Sequence, residues 1–497
     1  MTEDRMDTDF HDKNASVGIR GHRPPNLVFV FPDQMRGTAM GFLGQEPVLT
    51  PRLDRFSTES LVLTQAVSNF PVCSPYRAML MSGKYPHANH VLGNCFTLEE
   101  EKRKENRKVP LKDCELQEAD RCWSDILHDQ GYSLGYVGKW HLDMPHEPFI
   151  ECANNVSGQA WNEWCPPHRR HGFDYWYSYG TYDEHHRPMY WETDTPRGEF
   201  RFVDQWSPEH EADRAIDYLR NEEGGFRDPG KPFALVVANN PPHMPYHTVP
   251  ERYRARYDGI PTEELCRRPD IPPVGSEWGD YYRHHIRDYY AAVTGVDEQF
   301  GRILDALDEL GLRDDTIVVF TSDHGECLGI HNHIDKGCPY EAAMHVPFMI
   351  RWPGKISPRR DDLLLSAPDI YPTLIDLMGL KGKIPQDVQG VSHANVFLTG
   401  EGPRPGSQLY LCLWHDPANP SGGARGVRTP RYTYVEGDQA REEASVLLFD
   451  RETDPFELHN LAPTCPDLVE RLRRDELFPW LTKTNDPFKS PFAEGNV

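Results

Sequence analysis

Residues 69–86 read NFPVCSPYRAMLMSGKYP, and inside them Cys73-Ser74-Pro75-Tyr76-Arg77 sets a nucleophile type, a proline and a cation within five positions. Pro75 suits the first turn of a helix. Cys73 then sits at or just before a helix N-terminus, where the field favours an anionic ligand or transition state. Arg77 lies one turn along the same face and can reach back toward Cys73. Two distant carboxylates, Asp33 and Asp323, each follow a short apolar run. A lone Asp after a strand ordinarily serves a turn, but two such carboxylates converging at one sheet edge offer the hard oxygen ligands that suit Ca²⁺ or Mg²⁺. Lys139 and His141, two apart on a strand-like segment, project to one face.

The elements that must position these groups are legible as buried strands. NLVFVF (26–31), SLGYVGKW (133–140), PFALVVAN (232–239) and TIVVFTS (316–322) are continuous apolar runs, the pattern of strands covered on both faces of a parallel sheet. Between them lie amphipathic stretches, the clearest from Tyr289 to Leu310, with Gly311 at the expected C-cap. This alternation predicts an α/β fold, a doubly wound sheet flanked by helices, whose ligands bind beyond the carboxyl ends of the strands. Residues 143–210 and 241–288 read as insertions or long loops. GEGPRPGS (400–407) reads as a linker, followed by β-like runs at 409–414, 431–436 and 445–450 and a helix near 466–475. The expected division is a polar extension over 1–22, a catalytic α/β domain over 23–400, and a C-terminal α+β subdomain with an antiparallel sheet over 401–497.

The pentapeptide resembles the maturation signature of the type I sulfatases, in the alkaline phosphatase superfamily, and the resemblance runs in order over roughly residues 24–462. PPNLVFVFPDQ (24–34), TPRLDRFSTESLVLTQAVSNFPVCSPYR (50–77), GYVGKWHL (135–142), KPFALVVANNPPHMPY (231–246), TIVVFTSDHGECLG (316–329) and DKGCPYEAAMHVPFMIRWPG (335–354) are similar to the family's motifs, and 425–462 to its C-terminal strands. The resemblance implies an alkaline-phosphatase-like mixed sheet. It also implies that a separate formylglycine-generating enzyme oxidises Cys73 to formylglycine, whose hydrated gem-diol attacks sulfur and then eliminates sulfate. It implies a divalent metal held by Asp33, Gln34, Asp323, His324 and the side chain at position 73, usually Ca²⁺, with Mg²⁺ or Mn²⁺ as alternatives. Arg77, Lys139, His141, His243 and Lys336 would complete the catalytic set. Lys139 would hold the diol and a sulfate oxygen, His141 would assist elimination, and His243 or Lys336 would give the leaving oxygen its proton.

Two departures bear on the reaction. Many members carry Asp-Asp at the first metal motif and Asn after the second Asp; here the pairs are Asp33-Gln34 and Asp323-His324. Members with this pattern include phosphonate monoester and phosphodiester hydrolases, so that reaction is the alternative to sulfate ester hydrolysis. An inactive binder of sulfated ligands is disfavoured, because every catalytic position holds a competent residue type. For the substrate, the aromatic stretch 168–191 with His185, His186 and Arg187, and Asn94 beside Cys95, are the expected contacts to a sulfated mono- or oligosaccharide.

Composition sets the outer limits. The 497 residues carry 53 Lys+Arg against 77 Asp+Glu, a net charge of −24, which argues against nucleic acid or an anionic membrane as partner. The reaction centre itself, with Arg77, Lys139, Lys336 and a divalent ion against two carboxylates, is cationic. An acidic exterior around a cationic pocket favours one sulfate on a short saccharide over a long polysulfated chain. The 11 cysteines are too sparse for a disulfide scaffold and odd in number. With a polar start lacking an apolar leader segment and no run long enough to span a bilayer, they point to a cytoplasmic protein.

Overall fold

The computed structural model describes residues 24–99, 109–413, 416–438 and 445–492; the polar segment 1–22 and Trp414 of the 409–414 run lie outside them. The centre is a ten-stranded mixed sheet built from β1 (Asn26–Val30), β2 (Leu61–Leu63), β3 (Ser133–Lys139), β4 (Tyr175–Tyr179), β5 (Met189–Glu192), β6 (Arg201–Phe202), β7 (Phe233–Ala238), β8 (Thr316–Thr321), β9 (Phe348–Arg351) and β10 (Arg359–Asp361). Its spatial order is β10-β2-β9-β8-β1-β7-β3-β4-β5-β6. The five strands β8, β1, β7, β3 and β4 are parallel. In β1, Val28 stands opposite Leu235 of β7 and Val318 of β8.

Every residue of β1, β3, β7 and β8 is buried, as their unbroken apolar runs require. Successive side chains enter opposite layers: Leu27 and Phe29 join one hydrophobic core, Val28 and Val30 the other. The first core takes α1 (Cys73–Ser82) and α4 (Ala367–Leu377); the second takes α2 (Ser207–Arg220) and α3 (Glu277–Glu309). No helix among the described residues is long and apolar enough to cross a membrane.

Three expectations need correction. Helix α3 begins at Glu277, well before Tyr289. Ser276 caps it by accepting from the Gly279 N–H at 3.2 Å, and its first turns mix buried Tyr282 and Ile286 with exposed charge, which hides the periodicity. The stretch 143–210 is not simply loop, because it supplies β4, β5 and β6. The C-terminal antiparallel sheet has four strands, β11 (Gln408–Cys412), β12 (Ala424–Arg428), β13 (Tyr432–Gly437) and β14 (Val446–Asp450), in that order. Strand β12, covered by the family resemblance over 425–462, is missing from the apolar runs because it buries arginines, Arg425 against Asp486 at 2.7 Å and Arg428 against Glu341 at 2.5 Å. This sheet shares its core with α1 and α4. It is also hydrogen-bonded to the segment before Cys73: Asn69 Nδ2 donates to the Leu409 carbonyl at 2.7 Å, and the Leu411 N–H donates to the Asn69 carbonyl at 2.9 Å.

Candidate active site

The carboxyl ends of β1, β8, β3 and β7 deliver Asp33 and Gln34, Asp323 and His324, Lys139 and His141, and Asn240 and His243 to one edge of the sheet. Helix α1 points its N-terminus into this edge, with Cys73 as its first residue. Val72 offers no side-chain cap; instead the Asn94 Oδ1 accepts from the Ser74 N–H at 3.0 Å. Asn94, expected at the substrate, thus spends its carbonyl on fixing the helix start. Ser74 Oγ donates to the His141 carbonyl at 2.7 Å and accepts from the Cys95 N–H at 3.0 Å, tying helix start and strand end together. Gly83 closes α1 in the left-handed region at φ 67°, and a Cβ there would lie 2.9 Å from the Tyr371 ring and from Val388.

Four potential ligands, Asp33, Cys73, Asp323 and His324, are fully buried with ligand atoms mutually within 4.8 Å. Cys73 Sγ is 3.3 Å from His324 Nε2 and donates to Asp33 Oδ1 at 3.6 Å. His324 Nδ1 is committed to the Gly325 carbonyl at 2.9 Å, so its Nε2 lone pair faces the two carboxylates at 3.5 and 3.7 Å. Arg77 Nη2 spans Asp33 and Asp323 at 3.1 Å each, and its Nη1 donates to the Lys139 carbonyl at 2.6 Å. Burial works against ionisation of Asp33, but Lys139 and, with it, Arg77 hold its carboxyl well below the usual range. Burial and the Asp33 charge raise Asp323. Two carboxylates and an imidazole lone pair converging on one buried point form a donor set that fits a hard divalent cation.

Lys139 Nζ lies 2.7 Å from Asp33, 3.0 Å from Asn240 Oδ1 and 3.9 Å from Cys73 Sγ. His141 does not reach the site by strand alternation: β3 ends at Lys139, and His141 takes a left-handed φ of 54°. Its Nε2 donates to the Cys95 carbonyl at 3.2 Å, while Nδ1 is buried with no hydrogen-bond partner. Burial, with Lys139 and Arg77 nearby, pushes the imidazole well below its ordinary value and keeps it neutral. His243 Nδ1 donates to the Met244 carbonyl at 2.8 Å and Nε2 accepts from Lys336 Nζ at 3.0 Å. Burial and Lys336 hold His243 neutral as well. Burial and then Asp33 push the Cys73 thiol up to about 12, so the protein's own groups do not prepare a thiolate here.

Several expected contacts fall elsewhere. Gln34 Oε1, expected at the metal, accepts from Lys336 Nζ at 2.6 Å, which occupies one of its two lone pairs, while its amide donates to Glu326 and Tyr246. His185 is buried and its Nε2 engages the backbone carbonyls of His243 and Met244 at 3.1 and 3.3 Å, bracing that loop. His186 and Arg187 are exposed, with Arg187 stacked 4.6 Å over Phe202. Sequence reasoning overlooked Asn240, which joins Lys139 to Asp183 by donating to the Asp183 carboxylate at 2.9 Å. Its only signal was an Asn-Asn pair closing β7. Asp183 and Trp161 were also missed; both line a cavity of about 350 Å³ with Pro245 of the His243 loop.

Residues 25–380 match the sulfatase family model, and residues 329–475 match the model of the N-sulphoglucosamine sulphohydrolase C-terminal region. An endo-4-O-sulfatase of Bacteroides thetaiotaomicron is 40% identical over 93% of both chains. An ulvan-active sulfatase of Formosa agariphila is 31% identical over 94% of this chain and 83% of its own. Among solved structures, a candidate sulfatase of Bacteroides fragilis superposes with a TM-score of 0.87 at 47% identity, covering 95% of this chain and 99% of the other. A Bacteroides thetaiotaomicron protein solved in a study of its glycosaminoglycan metabolism gives 0.83 at 39% identity, covering 94% and 97%. With the nucleophile position, the buried carboxylate pair and the Lys-His groups all assembled at one sheet edge, this chain belongs to the sulfatase family.

Proposed function

We propose that this chain hydrolyses sulfate monoesters of saccharides, with position 73, oxidised from cysteine to a hydrated aldehyde, as the attacking group. The convergence of Cys73, at the N-terminus of α1, with Asp33, Asp323, His324 and Lys139 is the observation that carries this reading. Asp33, Asp323 and His324 would hold a Ca²⁺ ion, two hard carboxylates outweighing one imidazole in the donor set. When bound, such an ion supplies positive charge against sulfate oxygens and acidifies a neighbouring hydroxyl. Cys73 is 1% exposed, so a separate oxidising enzyme would meet this segment before the chain folds.

The residues then divide the work. Lys139, anchored by Asp33 and Asn240, holds an oxygen at position 73. Arg77 offsets the two carboxylates and fixes the end of β3 through the Lys139 carbonyl. Neutral His141, with Nδ1 unpartnered, is placed to take a proton during sulfate release. Because His243 is held neutral and accepts from Lys336, the proton for the leaving oxygen resides on Lys336 and passes directly or through His243. The saccharide assignment draws support from the endo-4-O-sulfatase and ulvan-active relatives, and the net charge of −24 favours short saccharides over densely sulfated polymer. The test compares kcat/KM for a sugar sulfate, a phosphodiester and a phosphonate monoester. Preference for the sulfate supports the reading. Preference for the phosphorus esters, the chemistry raised by Gln34 and His324, would overturn it.

A further inference from the structure

The cavity of about 350 Å³ beside the reaction centre falls within the range of ligand pockets, about 300–1,000 Å³. One wall is Trp161, whose ring stacks 4.3 Å from Phe96 and lies 6.3 Å from the His141 ring. Pro245 and Asp183 also line it, the latter 3.5 Å from His243 Nδ1. The cavity thus adjoins His141 through Trp161 and His243 through Asp183. Asn154, Gln159 and Glu184 complete its polar lining, which among the described residues contains two carboxylates and no cation.

Asp183 is held firmly but not saturated. Its Oδ1 accepts from Asn240 Nδ2 at 2.9 Å and its Oδ2 from Asn154 Nδ2 at 2.7 Å. A carboxylate has about four lone-pair sites, and a third of this side chain remains exposed. Burial opposes its ionisation, yet Lys139 and the Asn240 hydrogen bond hold the carboxyl below its usual range.

Resting on the saccharide reading above, we infer that this cavity seats the sugar ring bearing the scissile sulfate, and that Asp183 selects a free hydroxyl on the neighbouring carbon. Trp161 provides an apolar wall for the ring. Asp183 accepts a hydrogen bond from the adjacent hydroxyl, whereas a second sulfate there would meet the carboxylates of Asp183 and Glu184. Asp183 is therefore a specificity residue for the position next to the cleaved ester.

The experiment measures kcat/KM for a hexosamine monosulfate and for the same sugar also sulfated on the neighbouring carbon. Wild type is expected to favour the monosulfate at least tenfold, and Asp183→Asn to narrow that ratio about tenfold. A ratio within one variant cancels any general loss of turnover. Exposed Glu184→Gln, which disturbs no packing, should narrow it by a smaller factor. A wild type active on both sugars without preference, or a ratio unchanged in both variants, overturns the inference alone. A wild type that turns over neither sugar, while cleaving an aryl sulfate, removes the saccharide reading and this inference with it.

Discussion

Lys336→Met separates proton donation from charge. In the native site Lys336 Nζ donates to Gln34 Oε1 at 2.6 Å and to His243 Nε2 at 3.0 Å, and methionine of similar length removes both donors and the charge. Two losses follow. The missing charge weakens sulfate binding for every substrate alike. The missing proton affects only esters whose leaving oxygen needs one. A positioned general acid contributes roughly 10²–10⁴ in rate, equivalent to about 2.7–5.5 kcal/mol. A sugar alkoxide is a strong base and needs the whole of it; nitrophenolate is a weak base and needs almost none. The assay is kcat/KM of wild type and Lys336→Met on nitrophenyl sulfate and on a sulfated sugar. The sugar should lose at least about a hundredfold more than the aryl ester. Equal losses on both substrates would refute the assignment and reduce Lys336 to a binding charge.

Three further outcomes test the surrounding structure. Glu211, buried under the site and accepting from Tyr179, Tyr190 and Asn239, is pushed up to about 8 by burial. A carboxyl raised above its unfolded value keeps its full stability at low pH and loses it as pH rises through the folded value. Glu211 should therefore withdraw stability between about pH 4.5 and 8, and Glu211→Gln should make the stability of the protein fall less, or rise more, over that window in thermal melts; an unchanged profile contradicts the assignment. Arg77→Met leaves Asp33 and Asp323 without their buried guanidinium, a loss of about 3–5 kcal/mol. The drop in Tm should shrink in saturating Ca²⁺, and a drop indifferent to Ca²⁺ would count against the metal reading. Gly83→Ala adds left-handed strain of about 1–2 kcal/mol to overpacking of about 1–3 kcal/mol against Tyr371 and Val388. A Tm equal to wild type would show that α1 does not need its glycine stop.

What the sequence disclosed follows from how many residues speak for each feature. Strands β1, β3, β7 and β8 are buried on both faces, so their apolar runs announce them, and the charged or polar residue just past each end is carried to one edge by topology. That is why Asp33, Lys139, Asp323 and His324 could be placed together from motifs alone. Strand β12 was legible only through the family resemblance over 425–462, because Arg425 and Arg428 are buried through ion pairs, which no hydropathy pattern reveals. The substrate side was hidden for a different reason. His185 and Arg187 looked suited to a sugar by type, yet loop geometry turned His185 into a brace and left Arg187 on the surface. Asp183 and Glu184, just before His185, line the cavity, and nothing in their neighbours' identities marks them. Gln34 illustrates the same limit: position at the metal motif did not determine that its oxygen would serve Lys336.

The central claim is that position 73 works as an oxidised cysteine. Trypsin should cut after Arg55 and Arg77 and release residues 56–77 as one peptide carrying position 73. Its mass in enzyme purified from the native host while turning over a sugar sulfate is the direct measurement. The account predicts the lighter aldehyde form, in proportion to activity across preparations. Full turnover from protein whose Cys73 peptide is entirely thiol would contradict it.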